Sequence, residues 1–314
     1  MKLILAIATL LITVDVMGAT NRAFVSNEKD DTVSVIDILT NRVIKTVQVG
    51  KRPRGVGISP DGSELYVAIS ADNAIAVLDP VSMKVIRTFE SGDDPETFAI
   101  HSNGNLYISN EEDAMASVYN PRTGTLLATI DVGIEPEGVA VAPDGSRVAV
   151  TSESTNLVHI IGVPEHTIQN NVLVGARPRS VVFSNDSRYI YVTAEISGEV
   201  KKIAADTGNI IQKTFLPDEK AKPKDVLLSK DGKKLYVAGG RANKIFILDA
   251  QTLEHLNNVA VGKRVWGLAL SRDGLTLYTT DGLDHQVSVI DTSSEKVKTV
   301  VKVGNFPWGI AIDD

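Results

Sequence analysis

The sequence predicts an all-β fold, a seven-bladed β-propeller of four-stranded antiparallel blades, on the basis of three observations. A landmark of glycine, a short polar stretch and proline recurs at a nearly fixed period. Four short apolar runs, separated by turn residues, fill each period. Finally, the two ends of the chain carry different strands of one blade, so we expect them to pair and close a ring without exposed sheet edges.

The landmark reads Gly50-Lys51-Arg52-Pro53 in its first copy. Its last position occurs seven times, with valine replacing proline once: Pro53, Pro95, Pro136, Pro178, Pro223, Val265 and Pro307. Successive copies are 41 to 45 residues apart. That period is typical of a propeller blade of four short strands.

Within a period, turn signals such as Asp61-Gly62 and Asn103-Gly104 separate the apolar runs. These pairs favour hairpins because the turn needs positive φ angles. No segment keeps a 3.6-residue apolar period long enough for a helix. The C-terminal run 310–312 is a first strand and the run 23–25 a second strand, so the last blade combines both ends. A linear array of seven repeats is the alternative, and it leaves the run 310–312 unpaired.

The N-terminus predicts a signal peptide over residues 1–19, followed by the propeller over residues 20–314. Lys2 precedes an apolar stretch from Leu3 to Val14, and the small residues Gly18 and Ala19 follow. The stretch is too short for a spanning helix, and no later segment is apolar enough. We therefore expect export to the periplasm without a membrane span after cleavage. An uncleaved membrane anchor is the alternative.

Composition excludes several classes of function. The chain of 314 residues has a formal net charge of −7, which disfavours nucleic acid as a partner. It has no cysteine, which excludes disulfides, thiol nucleophiles, thiolate metal sites and covalent c-type haem. A chain of this size buries a core large enough to fold without such links.

The runs Phe24-Val25-Ser26-Asn27 and Tyr107-Ile108-Ser109-Asn110 resemble the YVTN-type β-propeller repeat. Segments that break the repeat, among them Arg264-Val265-Trp266 and Phe306-Pro307-Trp308-Gly309, resemble the PQQ-dependent catabolism-associated β-propeller proteins. This resemblance implies a periplasmic protein associated with quinoprotein alcohol dehydrogenases and cytochromes c. It implies no known catalytic activity.

The landmark loops predict a binding site. The loop from the fourth strand of one blade to the first strand of the next lies at the face where propellers commonly bind ligands. Two neighbouring copies are acidic there, and the other copies form an arc of basic and aromatic residues. We predict that this arc binds an anionic planar cofactor, through Arg54, Arg177, Arg179, Lys224, Arg264, Trp266 and Trp308.

Arginine grips carboxylates bidentately and tryptophan offers a stacking face. Pyrroloquinoline quinone (PQQ), planar and with three carboxylates, suits such an arc as a bound ligand. The alternative is that arginine and glutamate of neighbouring blades pair and close the channel mouth, with both tryptophans as packing plugs.

A second ring at the ends of the second strands contains Glu28, Glu111, Glu153 and Glu195. These carboxylates either bind a hard cation or form salt bridges with the arginines, and we favour the salt bridges. We predict no metal site. Catalytic motifs are lacking, and of five histidines only His285 lies on the ligand face.

We predict a non-enzymatic periplasmic binding module, associated with PQQ-dependent alcohol catabolism, that binds the cofactor or docks a quinoprotein dehydrogenase or cytochrome c. We expect a monomer, and no catalytic residue is assigned. The alternative is an enzyme of lactonase or lyase type that uses Glu153 or Glu195 with His285.

Overall fold

A computed structural model describes residues 18–314. The predicted signal peptide, residues 1–19, lies outside these residues except for Gly18 and Ala19. No helix in the described part of the chain is long and apolar enough to cross a membrane.

The described residues form twenty-eight strands and one short 3₁₀ turn at Ser70–Asp72. The first fourteen strands are β1 Arg22–Asn27, β2 Thr32–Asp37, β3 Arg42–Gln48, β4 Pro53–Ile58, β5 Leu65–Ile69, β6 Ala74–Leu78, β7 Val85–Glu90, β8 Pro95–Ile100, β9 Leu106–Asn110, β10 Met115–Asn120, β11 Thr125–Asp131, β12 Pro136–Val141, β13 Arg147–Ser152 and β14 Leu157–Gly162. The others are β15 Thr167–Leu173, β16 Pro178–Phe183, β17 Tyr189–Ala194, β18 Glu199–Ala204, β19 Ile210–Phe215, β20 Val226–Leu228, β21 Lys234–Ala238, β22 Lys244–Asp249, β23 His255–Ala260, β24 Val265–Leu270, β25 Thr276–Asp281, β26 Gln286–Asp291, β27 Lys296–Lys302 and β28 Pro307–Asp313.

The strands form seven antiparallel sheets of four, which are the blades, and each landmark residue lies at or just before an inner strand. Blade 1 has the order β28-β1-β2-β3, and blades 2 to 7 follow as β4–β7, β8–β11, β12–β15, β16–β19, β20–β23 and β24–β27. This confirms the predicted seven-bladed propeller.

The ring closes through blade 1, as the sequence predicted. Strand β28 pairs antiparallel with β1, with Ile310 opposite Val25 and Ile312 opposite Ala23. The pairing joins the two ends of the chain, so the linear array is wrong. Closure also gives β28 a partner strand, which a linear array would not supply.

The core lies between neighbouring blades. The second and third strands bury both of their faces, since every residue of β5 and all but the first of β6 are buried. One cluster packs Phe24 and Val33 of blade 1 against Leu65 and Val67 of blade 2. The outer strands, such as β3, are largely exposed. Blade-to-blade packing of apolar side chains therefore holds the inner strands in a fixed ring.

A recurring hydroxyl bridge fixes the inner strands where the site residues lie. Thr280 accepts a hydrogen bond from the Gly267 N–H in its own blade and donates to the Trp308 carbonyl in the next, at 2.7 and 2.8 Å. Ser26, Ser109, Thr151 and Thr193 donate in the same way to the carbonyls of Arg54, Glu137, Arg179 and Lys224. Each bridge satisfies a backbone group freed where the inner strand shifts register.

Candidate binding site at the channel opening

The structure brings the predicted binding residues together at one end of the central channel. Six of them line one opening of about 360 Å³: Arg54, Arg177, Arg179, Arg264, Trp266 and Trp308. The seventh, Lys224, lines an inner chamber of about 300 Å³, which shares Glu137, Arg179, Trp266 and Trp308 with the opening. Both spaces are formed by side chains far apart in sequence.

A repeated backbone latch positions the landmark loops. The residue before the landmark proline has a positive φ in most blades, and its N–H is accepted by a side chain from the preceding blade. Arg177 and Arg264 donate in this way to the Oδ1 atoms of Asn156 and Asn243, at 3.0 and 2.9 Å. Left-handed backbone is costly for residues other than glycine and persists where its surroundings hold it.

Close contact between the inner strands brings these loops together. A Cβ atom added to Gly309 would lie 2.6 Å from the Arg54 carbonyl oxygen, and one added to Gly138 would lie 2.5 Å from that of Arg179. Such distances leave no room for any side chain. The glycines that follow the site residues therefore let neighbouring blades approach until their side chains share one opening.

Arg52 and Arg54 are paired with carboxylates of the acidic blades. Arg52 donates to Asp94 at 2.8 Å, and Arg54 is hydrogen-bonded to Glu96, which is fully buried. Arg54 also lies 3.5 Å from Glu28. Neither guanidinium is left with an unmatched charge.

A denser network surrounds Arg179, which is 6% exposed. Its guanidinium contacts Glu137 at 2.8 Å, Glu153, and Glu195 at 3.7 Å. Arg177 also pairs with Glu153, at 2.5 Å, and lies 3.6 Å from Glu195. The predicted pairing of arginine with glutamate is therefore present in this part of the opening.

Lys224 extends this network into the chamber, where its Nζ donates to Glu195 at 2.6 Å. Burial lowers the pKa of Lys224 to about 7, and the nearby positive charge of Arg179 acts in the same direction. Glu195 opposes the shift by favouring the ammonium form. Lys224 therefore changes charge near neutral pH.

The opposite side of the opening is aromatic. The rings of Trp266 and Trp308 are 6.3 Å apart at an angle of 43°. The Arg264 Cζ lies 4.9 Å from the Trp266 ring centroid, and the Lys224 Nζ lies 4.0 Å from it. Among the described residues, no carboxylate forms a salt bridge with Arg264. Arg264 is therefore the guanidinium of the opening with capacity for an external anion.

Three of the four glutamates predicted as a second ring, Glu28, Glu153 and Glu195, form salt bridges with arginines of the opening. Glu111 instead lies with Asp94 and Glu96, and their oxygens are within 4.8 Å of one another. Since Arg52 and Arg54 already neutralise Asp94 and Glu96, this cluster does not indicate a cation site.

Glu111 has no salt bridge among residues 18–314 although it lines the opening. Burial raises the pKa of Glu111, and the negative charges of Glu137 and Asp94 raise it further. The second ring predicted from the sequence correctly placed Glu111 at the opening. It did not show that Glu111 differs from the other three glutamates.

His285 occupies a latch position. Its Nδ1 accepts the Phe306 N–H at 3.1 Å, as Asn243 accepts that of Arg264. His285 is outside the set of residues that lines the opening, and its ring packs against Phe306 at 5.4 Å. Among the described residues, no hydrogen bond or salt bridge joins His285 to Glu153 or Glu195, the partners that the alternative of a propeller enzyme requires.

Asp225 was missed by the sequence reasoning. It lies in the chamber wall, where aligned copies have small residues such as Gly138 and Gly267. Its carboxylate accepts hydrogen bonds from Ser180 Oγ at 2.6 Å and from the Leu268 N–H at 2.8 Å. Asp225 thereby links blade 6 to blades 5 and 7. The hydroxyl of the recurring bridge is missing from blade 6, because Ala238 stands where most other blades have serine or threonine. Aligning the repeats position by position would have singled out Asp225.

The fold and the opening define a closed seven-bladed propeller with a polar and aromatic site over its channel. The chain belongs to the family of seven-bladed β-propeller lactonases, whose family model matches residues 139–307. No curated protein has significant sequence similarity to the chain.

Many solved structures share the fold, and two of them illustrate it. One is of the hydrazine synthase of Kuenenia stuttgartiensis, with a TM-score of 0.80 and 20% identity, covering 92% of this chain and 99% of that chain. The other is a functionally unknown protein from Desulfotomaculum acetoxidans, with a TM-score of 0.81 and 16% identity, covering 94% and 99%. At these identities the likeness concerns the fold alone.

Proposed function

We propose that this protein is a non-enzymatic periplasmic binding module that takes an anionic, planar molecule at the channel opening. The observation that carries the proposal is the arrangement of Arg264 over Trp266, beside Trp308. An aromatic face and an adjacent guanidinium without a salt bridge suit a flat ligand with a carboxylate at its edge.

The other arginines stabilise the opening through ion pairs and do not contribute the primary contact to a ligand. Arg54 and Arg179 are engaged by buried carboxylates, so an incoming anion would compete with Glu96 and Glu153 for them. The ion pairs also hold the aromatic side in place, because the Arg179 Cζ lies 5.2 Å from the Trp266 ring centroid. We therefore assign the primary anion contact to Arg264.

The family resemblance supports PQQ as the first ligand to test, and an association with PQQ-dependent alcohol catabolism. The same rim of arginine and tryptophan suits docking of a periplasmic quinoprotein dehydrogenase or cytochrome c, since both residue types are favoured interface anchors.

The test is titration of the purified protein with PQQ, followed by calorimetry and by tryptophan emission. Trp266 and Trp308 are the only tryptophans of the chain, so the emission reports on this opening.

Arg264→Gln should weaken binding roughly tenfold to one-hundredfold, the effect of one charged hydrogen bond. Arg272→Gln, at a hairpin turn on the opposite face, is the matched control. Saturating PQQ without heat or an emission change would contradict PQQ as the ligand, and equal affinities of the two variants would remove Arg264 from the site.

A second candidate is lactone hydrolysis, which the family name suggests and which Glu111 favours. Glu111 is a carboxyl group at the opening whose pKa is raised by burial, a property common among general acids and bases. Assays with simple aliphatic lactones test this candidate. Turnover that is lost in Glu111→Gln but kept in His285→Asn would favour an enzyme over the binding module.

A further inference from the structure

The inner chamber beside the two tryptophans is the mainly apolar space at this end of the channel. Its wall carries six aliphatic side chains: Val139, Ala140, Val181, Val182, Val226 and Leu227. Trp266 and Trp308 line both the chamber and the opening above it. The two spaces are therefore contiguous and differ in chemistry, polar above and mainly apolar below.

Two buried donor atoms of the chamber lining, Arg179 Nε and Trp308 Nε1, have no hydrogen-bond acceptor among the described residues, whereas the charged groups of Asp225 and Lys224 are held. Asp225 is held by Ser180, by its neighbour's N–H and by the Leu268 N–H. Lys224 is held by Glu195. A buried donor without an acceptor is costly.

The size of the chamber limits what it can hold. An apolar cavity of roughly 150 Å³ accepts one benzene ring. The chamber is about 300 Å³, so it accommodates roughly two fused rings at the packing density of protein interiors. A molecule with carboxylates on several edges does not suit such walls, since each buried charge would need a partner.

We propose that the chamber takes the aromatic body of a monocarboxylic acid whose carboxylate binds Arg264 at the opening. The proposal rests on the proposed function, because it uses the same Arg264 contact. It narrows the ligand class to aryl acids of about two fused rings. A tricarboxylate such as PQQ would stay above the tryptophans, in the opening.

The test uses three acids with the same head group: acetate, phenylacetate and 2-naphthylacetate. Affinity, measured by tryptophan emission and calorimetry, should rise along this series, by about tenfold from phenyl to naphthyl as more apolar surface is buried. The uncharged 2-(2-naphthyl)ethanol should bind at least tenfold more weakly than 2-naphthylacetate, because it lacks the charge that Arg264 recognises.

Chamber-filling variants separate the two parts of the site. Ala140→Leu and Val182→Phe, made separately so that one poorly folded variant is not decisive, should remove the gain from phenyl to naphthyl. Ala99→Leu, at the corresponding inner-strand position of blade 3 and outside the chamber lining, is the matched control. Arg264→Gln should weaken phenylacetate and 2-naphthylacetate by the same factor.

The outcomes distinguish failure of this inference from failure of the proposed function. Equal affinities for phenylacetate and 2-naphthylacetate, unchanged by the filling variants but reduced by Arg264→Gln, would overturn the chamber and leave the anion site standing. Loss of the naphthyl gain in the filling variants, with no effect of Arg264→Gln, would support the chamber as an apolar pocket but overturn its link to Arg264. No binding of any of the acids would overturn this proposal.

Discussion

The two sides of the channel opening carry similar residue types in different electrostatic states. On the side of blades 2 to 5, Arg54 and Arg179 are matched by buried glutamates. On the side of blades 7 and 1, Arg264 lies over Trp266 without a salt bridge in the described chain. The first side is a closed ionic frame, and the second holds a guanidinium that has no carboxylate partner among the described residues. The comparison shows that cations in one ring are not equivalent. Neighbouring carboxylates decide which guanidinium is already paired and which could contact an added anion.

The largest effect should come from breaking the ionic frame. Arg179→Met leaves the buried carboxylate of Glu137 without its arginine partner and leaves Glu153 with Arg177 alone. We expect the free energy of unfolding to fall by about 3–5 kcal/mol, as when one member of a buried pair is removed. Urea unfolding measures it.

The matched control is Arg264→Met, on the aromatic side, which should change the free energy of unfolding by less than about 1 kcal/mol. If both variants were equally stable, the ionic frame would not be the stabilising side of the opening.

Lys224 lies where the two sides meet, since it contacts both Glu195 and the Trp266 ring. Its change of charge should make the stability of the protein depend on pH. The pKa of Lys224 is lowered to about 7 in the folded protein by burial, against about 10.4 when unfolded. Between these pH values the unfolded chain binds more protons, so stability should rise with pH, by roughly 1 kcal/mol per pH unit from this one group. Below pH 7 Lys224 is protonated in both states and its contribution no longer changes.

Thermal unfolding from pH 7 to 10 in Lys224→Met tests this dependence. The groups that face Lys224 are Glu195, Arg179 and Glu137, and all three remain in the variant. Lys222→Met, two residues earlier, serves as the comparison. A slope that persists in Lys224→Met would assign the titration to another group.

The sequence predicted the fold because the repeat encodes it locally. The landmark residues, the Asp-Gly and Asn-Gly turns and the closing run 310–312 each specify a strand or turn wherever they occur. The position of the landmark loops followed, since the strand order places them all on one face. The repeat alone was therefore enough to bring Arg264 and Trp308 together.

Which of the cations are paired with carboxylates could not be predicted in the same way. Whether Arg179 or Arg264 is paired depends on side-chain geometry across blades, which no local pattern encodes. The role of His285 was visible in principle, because it aligns with Asn73, Asn156 and Asn243 at the latch position. The histidine attracted a catalytic interpretation that its aligned neighbours argue against.

His285 gives a smaller and more local test, on the aromatic side. His285→Asn should keep the hydrogen bond to the Phe306 N–H, and stability should be close to that of the unchanged protein. His285→Ala should lose about 1 kcal/mol, because one backbone N–H loses its acceptor. Chemical denaturation of the two variants measures the difference. Equal losses in both would show that the ring packing against Phe306, and not the latch, is the contribution of His285.

The smallest effect should come from Glu111, the one carboxyl group at the edge of the ionic frame without a basic partner in residues 18–314. The pKa of Glu111 is raised by burial and by the charges of Glu137 and Asp94. Its ionised form therefore costs stability, and this cost appears as pH rises through its folded pKa. Glu111→Gln should be more stable than the unchanged protein by a few tenths of a kcal/mol at pH 7, with the difference vanishing near pH 3, where the carboxyl is protonated. Calorimetric unfolding at both pH values measures it. A destabilised variant at pH 7 would mean that the positive charges of Arg54 and Arg52 outweigh burial at Glu111, so that Glu111 is part of the ionic frame.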